Sequence, residues 1–200
     1  YTIYEIFHTR YRLHKQIYTH PAIQQIEYMI LDILNIADPV LNISKSVDNI
    51  EHFIKIDDTL IDYIYYSDNK QLDEAKKIIN KIKKRELYSF VCEKNFSKLD
   101  IKKKICINDF LEKTTELQKD DVIIHNLCLG YTGYSYNPVD NISFYDLNNP
   151  QKLFKYEKDH VSKLIPDSFN ENIIRIFSRK KEKNNIIKTI FEQLIKIYNY

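Results

Sequence analysis

Hydrophobic residues in the first part of the chain recur at helical spacing. The pattern predicts helical segments over 2–36, 47–54, 58–66 and 73–85. The first segment is expected to break at Pro21, because proline cannot donate to the preceding turn and biases His20 away from helix. Asp57 is a candidate cap for the third segment. In the fourth segment, four apolar residues face inward while the lysines face outward: Ala75, Ile78, Ile79 and Ile82.

The pattern changes after residue 86. Short stretches rich in β-branched and apolar residues predict strands over 87–92, 122–129, 142–145 and 173–178. The lysine-rich stretch 93–120 is predicted to be irregular, and helices are predicted over 159–165 and 184–198. The expected fold is mainly α with a small α+β C-terminal lobe, in which a short antiparallel sheet is flanked by helices. The predicted domains are 1–86, which is helical, and 87–200, which is the α+β lobe.

Composition narrows the possible classes of protein. An apolar fraction of 44% can supply a core, and 30 cations against 28 anions do not favour a nucleic-acid-binding domain. The three cysteines are widely spaced, which disfavours zinc motifs and a disulfide framework and predicts reduced, mostly buried thiols. With no apolar run long enough to cross a bilayer and no signal peptide, we expect an intracellular protein, cytoplasmic or nuclear.

The start of the chain suggests a fragment. The first residue is Tyr1, and the only methionine is Met29. Helical periodicity already begins at the first residues, with no capping residue ahead of Thr2. We therefore expect that a preceding N-terminal part has been removed.

Residues 4–20 carry the candidate chemistry, because they hold three of the six histidines. Arg10, His14 and Tyr18 are spaced four apart, so on an α-helix they share one narrow strip. A guanidinium, an imidazole and a phenol in a row can grip a phosphate, exchange a proton and pack on a sugar. The alternative is a partly buried helix whose polar groups are satisfied internally.

The motif around this strip resembles a known family. It reads Phe7-His8-Thr9-Arg10, then Leu13-His14, then Tyr18 and His20. Further similar blocks follow in order at 57–68, 75–91, 137–145, 159–166 and 173–180. Together they resemble the C-terminal half of the SAM-and-HD-domain deoxynucleoside triphosphate triphosphohydrolases, a family of HD-domain phosphohydrolases.

The resemblance implies a parent enzyme that converts a dNTP to a deoxynucleoside and triphosphate. Its divalent metal would be held by histidines and aspartates that include an adjacent His-Asp pair. This chain contains only the reverse order, Asp159-His160. We therefore expect no catalytic residue and no metal ligand here, a metal site upstream, and no activity from this fragment alone. Residues 1–86 would complete the catalytic domain, and 87–200 would form a lobe for regulation and oligomerisation.

Four residues match the family's substrate site. The resemblance implies that Arg10 contacts the triphosphate and that Tyr18 packs at the deoxyribose, where it helps to exclude a ribose 2′-hydroxyl. His14 matches a histidine near the same pocket. Thr19 stands where the family has glutamine, which shortens any contact from that side chain.

Three further residues match positions that bind regulatory nucleotides between subunits of the family's tetramers. These residues are Arg175, Arg179 and His20, and the implied partners are GTP or dNTP activators. Arg175 and Arg179 would share one face of a strand and bracket one triphosphate. Pro21 and Ala22 depart from the family pattern beside His20. The alternative is that the two arginines merely solubilise an edge strand.

Two other functions remain open. The parent protein could be a catalytically inactive, nucleotide-responsive oligomerisation module. Alternatively, the surface rich in lysine and tyrosine could bind single-stranded nucleic acid weakly, through charge and base stacking.

Overall fold

A computed structural model describes residues 2–96, 104–132, 136–156 and 165–198. The helices in chain order are α1 (Thr2–Leu13), α2 (Pro21–Leu41), α3 (Ile50–Phe53), α4 (Thr59–Tyr66), α5 (Asp73–Lys83), α6 (Ile107–Leu111) and α7 (Asn184–Tyr198). The strands are β1 (Ser89–Phe96), β2 (Val122–Gly130), β3 (Phe144–Asp146), β4 (Asn149–Phe154) and β5 (Asn170–Ser178). The expected fold class, mainly helical with a small antiparallel sheet, is confirmed.

The chain divides into two compact units. The sheet unit contains Tyr1–His20 and Val91–Tyr200, and the helical unit contains Pro21–Phe90. The sequence grouped the first 20 residues with the helical region up to residue 86, whereas their contacts are with the sheet. Periodicity along one helix cannot reveal which distant element covers it.

The helical unit packs α2, α4 and α5 around one core. Its fully or almost fully buried apolar residues are Ile33, Ala37, Ile64, Leu72, Ala75 and Ile79. Ile78 and Ile82 pack at its margin, so the predicted inner face of α5 is confirmed. The Oδ1 of Asp57 accepts a hydrogen bond from the backbone N–H of Thr59 at 2.9 Å, but Asp57 is not the N-cap that the sequence predicted: the N-cap of α4 is Asp58, whose side chain makes no capping hydrogen bond.

Two helix boundaries differ from the prediction. The first segment breaks before Pro21 as expected, but α2 continues through Pro39 to Leu41. Because Pro39 lies in the last turn, it removes one helical hydrogen bond there. Asn42 then closes the helix with a φ of 53°, and its N–H donates to the carbonyl of Asp38 at 2.8 Å. The helix predicted over 47–54 is divided into a 3₁₀ turn, Ser44–Asp48, and α3.

The sheet unit is built on three strands in the order β1-β5-β2, with β5 in the middle. β2 and β5 are antiparallel, with Val122 opposite Ser178. One face of this pair is apolar and packs with α6 and α7 in a core that includes Ile174, Ile176 and Phe191. The predicted final helix is confirmed as α7. The opposite face, which we call the charged face, carries Glu171, Arg175 and His125 among apolar residues. It is this face that bears on function.

Several sequence predictions in this unit were wrong. The stretch 93–120 is not irregular throughout, since it contains the end of β1, α6 and a 3₁₀ turn. Phe110 of α6 is fully buried. β4, which pairs with β3, was not predicted. The helix expected over 159–165 lies outside the described residues, apart from Ile165.

The cysteines also differ from expectation. All three are free thiols, but Cys106 and Cys128 are exposed and Cys92 is half-buried. Cysteine is so often buried that residue type alone predicts burial, whereas here the position in the element decides it. No helix within the described residues is long and apolar enough to cross a membrane.

Candidate functional site

The helix that carries the candidate residues does not stay α-helical. After α1, residues His14–Tyr18 form a single π-helical turn, which we call the π turn. The backbone N–H of Thr19 donates to the carbonyl of His14 at 2.9 Å, five residues back, and that of His20 donates to Ile17 at 3.1 Å. The hydroxyl of Thr19 also donates to the His14 carbonyl, at 2.8 Å. Single π-helical turns occur frequently at functional sites.

The π turn presents His14 and Tyr18 side by side. Their ring centroids are 5.1 Å apart in an edge-to-face arrangement, and Tyr18 is 55% exposed. The predicted proximity of these two residues is therefore present in the structure. The hydroxyl of Thr19 is already bonded to the backbone, so it stabilises the turn.

Arg10 lies on α1, ahead of the π turn. Its Nη1 donates to the carbonyls of Gly130 and Tyr131 at 3.3 and 3.2 Å, at the end of β2. Arginine has five N–H donors, so these bonds use only part of its capacity. Of the three side chains in the predicted strip, His14 and Tyr18 contact each other. Arg10 is instead hydrogen-bonded to the end of β2.

Lys15 attaches the π turn to the charged face of the sheet. Its Nζ donates to Glu171 of β5 at 2.6 Å and to the hydroxyl of Tyr11 at 2.9 Å. Asn95 of β1 also donates to Glu171, at 2.7 Å. Burial raises the pKa of Glu171, and Lys15 and Asn95 are the groups that bond its carboxylate.

Arg175 makes a second attachment. It is 4% exposed, and its Nε donates to the Oε2 of Glu93 on β1 at 2.6 Å. Its Nη1 donates to the carbonyl of Thr19, immediately after the π turn. The sequence predicted Arg175 as a regulatory nucleotide contact, but the residue is paired inside the unit. Because β5 is the central strand, the edge-strand alternative is wrong.

The other two predicted regulatory residues, Arg179 and His20, are more exposed than Arg175. Arg179 follows β5, and its Nη1 donates to the carbonyl of Asp120 at 2.8 Å. His20 is exposed at the end of the π-turn segment. Arg175 and Arg179 thus differ in environment, although their spacing suggested one shared face.

Sequence reasoning missed Glu93, Lys15 and Glu171 as members of this arrangement. Glu171 and Arg175 lie on one face of β5, with Ile173 between them, and two charged residues at this spacing in a strand are a detectable signal. The partners on β1 and in the π turn had no such signal, since Glu93 lies 82 residues from Arg175.

An aromatic group packs along the other side of α1. The Nδ1 of His8 is 2.9 Å from the hydroxyl of Tyr131, and the hydroxyl of Tyr4 donates to Asn137 at 2.7 Å. The Oδ1 of Asn137 also accepts from the N–H of Val139 at 3.2 Å. The Asn-Pro-Val segment therefore helps to fix α1.

An open cleft of about 720 Å³ lies along this aromatic side. Its described lining is Tyr4, Glu5, His8, Thr9, Arg12, Tyr131, Ile165 and Pro166. The lining includes both a carboxylate and a guanidinium, and Arg10 is not part of it. The cleft is therefore not the site that the sequence indicated for a triphosphate.

The part of the chain that the structure describes contains no cluster of histidine, cysteine and carboxylate side chains that could hold a metal ion. Asp159-His160 lies outside that part. The residues described here do not fit a divalent metal.

Comparison with known proteins gives close relatives, although no family model matches the chain. The chain is 37% identical, over its whole length, to a protein named deoxynucleoside triphosphate triphosphohydrolase SAMHD1 homolog from Dictyostelium discoideum, and it spans 39% of that protein. It is 30% identical, over 92% of its length, to the SAMHD1 triphosphohydrolase of Xenopus laevis, and spans 32% of it. A mimivirus protein named for an HD domain is 25% identical over 88% of the chain.

The chain thus spans between about a third and two fifths of these triphosphohydrolases, and the match falls in their C-terminal part. The resemblance expected from the sequence is confirmed: along nearly its whole length, this chain is similar to the C-terminal part of the SAMHD1 deoxynucleoside triphosphate triphosphohydrolases.

Proposed function

We propose that this chain is a C-terminal portion of a metal-dependent HD-domain dNTP triphosphohydrolase. The parent would use water to convert a dNTP to a deoxynucleoside and triphosphate. The observation that carries the proposal is similarity along the entire chain to a relative named for this activity. The chain would supply one wall of the substrate site and a regulatory lobe.

The divalent metal would be bound by residues of the parent upstream of this chain, where the resemblance places the family's His-Asp pair. The described residues of this chain offer no ligand cluster. When bound, such a metal polarises phosphate oxygens and activates water. The contribution of this chain is binding and orientation. We expect the chain alone to be inactive.

The proposed substrate wall consists of Arg10, His14, Tyr18 and Thr19. A guanidinium can make two parallel charge-assisted hydrogen bonds to a polyphosphate, and the donors of Arg10 beyond Nη1 could make them. Tyr18 presents an exposed ring held edge-to-face by His14, which suits packing on a deoxyribose. Such a ring would exclude a 2′-hydroxyl by steric contact and would leave that hydroxyl without a partner. Thr19 would act through its bond to the His14 carbonyl, since its hydroxyl is engaged there.

The proposed regulatory role involves Arg175, Arg179 and His20, with GTP or dNTP activators bound between subunits of an oligomer. Arg179 and His20 are the more accessible of the three. Arg175 is buried and is already bonded to Glu93 and to the carbonyl of Thr19. We therefore propose Arg179 and His20 as the direct contacts of an activator.

The test is turnover of the full-length parent with dGTP and a divalent metal, with and without GTP. Release of triphosphate is the expected result. Stimulation by GTP would support the regulatory role despite Pro21 and Ala22. If no nucleotide and metal combination releases triphosphate, the enzyme proposal is wrong and a non-catalytic oligomerisation module becomes the better account.

A further inference from the structure

We propose that Arg175 is a positioning residue for the substrate wall, acting from inside the sheet unit. This inference rests on the proposed function. Arg175 holds the carbonyl of Thr19, and thereby fixes the end of the π turn that presents His14 and Tyr18. It would influence dNTP binding without contacting the nucleotide.

Burial and pairing hold the guanidinium of Arg175 in one orientation. A buried guanidinium without a partner is strongly destabilising, and Glu93 supplies the opposite charge at 2.6 Å. This pair leaves Nη1 directed at the carbonyl of Thr19. The guanidinium is a planar fork, so one rigid group connects β1, β5 and the segment after the π turn.

Thr19 lies at the junction between two helical segments. Thr19 follows the π turn, and α2 begins two residues later at Pro21. Its carbonyl therefore lies beyond one helical hydrogen-bond ladder and before the next. Arg175 donates to this carbonyl from β5.

A second ion pair also holds the π turn against the sheet, so Arg175 is not its sole attachment. Lys15, inside the π turn, is paired with Glu171 of β5 at 2.6 Å. That bond holds the beginning of the turn, while Arg175 holds its end. Loss of Arg175 should therefore release residues 18–20 without detaching the whole segment.

The test uses the full-length parent and hydrogen exchange at the amides of Thr19 and His20, which donate within the π turn. Arg175→Lys keeps a charge for Glu93 but replaces the fork with a point charge. We expect these two amides to exchange at least about ten-fold faster, while those of β2 and α7 keep their rates.

Lys183→Met is the matched control, because Lys183 also donates to a backbone carbonyl, that of Glu116, at 2.8 Å. It should leave Thr19 and His20 unchanged. Arg175→Met is a second variant that removes every donor. Unchanged exchange at these amides in Arg175→Lys would overturn the proposal, even if Arg175→Met failed to fold.

Kinetics separate positioning from a merely structural role. We expect Arg175→Lys to raise the KM for dGTP about ten-fold, with a smaller change in kcat. A merely structural role would reduce the amount of folded enzyme and leave KM unchanged, and that result would overturn the proposal. A parent without any triphosphohydrolase activity would refute the proposed function instead, and the exchange experiment would still decide whether Arg175 fixes the π turn.

Discussion

His125 on β2 lies directly opposite Arg175 on β5 in the antiparallel register. The imidazole therefore faces a permanently charged guanidinium, which is itself paired with Glu93. Burial, and secondarily the charge of Arg175, lower the pKa of His125 from its ordinary value of 6.5. The charged face of the sheet thus contains a group that resists protonation.

This relationship predicts a pH-dependent stability. Because the folded pKa of His125 is below 6.5, the unfolded chain binds more protons in the interval between the two values. The contribution of neutral His125 to the free energy of unfolding is fully present above about pH 6.5 and is lost as the pH falls. In His125→Gln, the free energy of unfolding should depend less steeply on pH between about 5 and 7.

Urea denaturation at a series of pH values measures this slope. His52→Gln, at an exposed position on α3, is the control and should keep the wild-type slope. An equally steep slope in His125→Gln would show that other groups cause the dependence.

Arg10→Ala should reduce dGTP turnover by the full-length parent at least about ten-fold, because losing a charged hydrogen bond to the triphosphate costs about 1.5–3 kcal/mol. The readout is initial triphosphate release at matched enzyme concentration. Since Arg10 also bonds the end of β2, the thermal midpoint must be measured in parallel. Lys188→Ala, on the exposed side of α7, is the control. Near wild-type turnover in Arg10→Ala would remove this residue from the site.

Replacing Asp121, which immediately precedes β2, should lower the free energy of unfolding. Its carboxylate is 2% exposed and is bonded to the Nζ of Lys180 at 2.8 Å and to the N–H of Gln118 at 2.9 Å. Burial works against the charged form, but these partners outweigh it and lower the pKa of Asp121. Asp121→Asn removes the charge, so it should cost about 1–3 kcal/mol of unfolding free energy at pH 7.

The neighbouring exposed residue provides the comparison. Asp120→Asn should change the unfolding free energy by less than about 0.5 kcal/mol in the same denaturation experiment. The lowered pKa also fixes the direction of the pH dependence. The contribution of Asp121 to the free energy of unfolding is present above about pH 3.9 and is lost as the pH falls further. Equal costs for the two variants would contradict the assignment.

The thiols should differ in reactivity. Burial, together with the nearby charge of Glu192, raises the pKa of Cys92 to about 12, so little thiolate forms there at pH 8. Cys106 and Cys128 are exposed. Iodoacetamide should therefore label these two at least about ten-fold faster than Cys92. Peptide mass spectrometry measures the three rates, and labelling in denaturant is the control in which the differences should disappear.

Local periodicity predicted the elements that depend on local interactions. The 3.6-residue pattern located α5 and α7, and the runs of β-branched residues located β2 and β5. The same spacing predicted the proximity of His14 and Tyr18, since residues four apart lie close on any helical turn. The polar sequence of β4 has no such pattern, and pairing with β3 is what makes it a strand.

By itself the sequence determined the fold class, the family resemblance and which residues carry candidate chemistry. Only the tertiary structure decided how those residues are held. The π turn, the burial of Arg175 and its pairing with Glu93 depend on contacts between segments that are far apart in sequence. A charged residue on a strand has the same local pattern whether it faces solvent or a buried partner. The free energy that separates these cases comes from desolvation and from pairing between distant residues. Local sequence alone predicts neither.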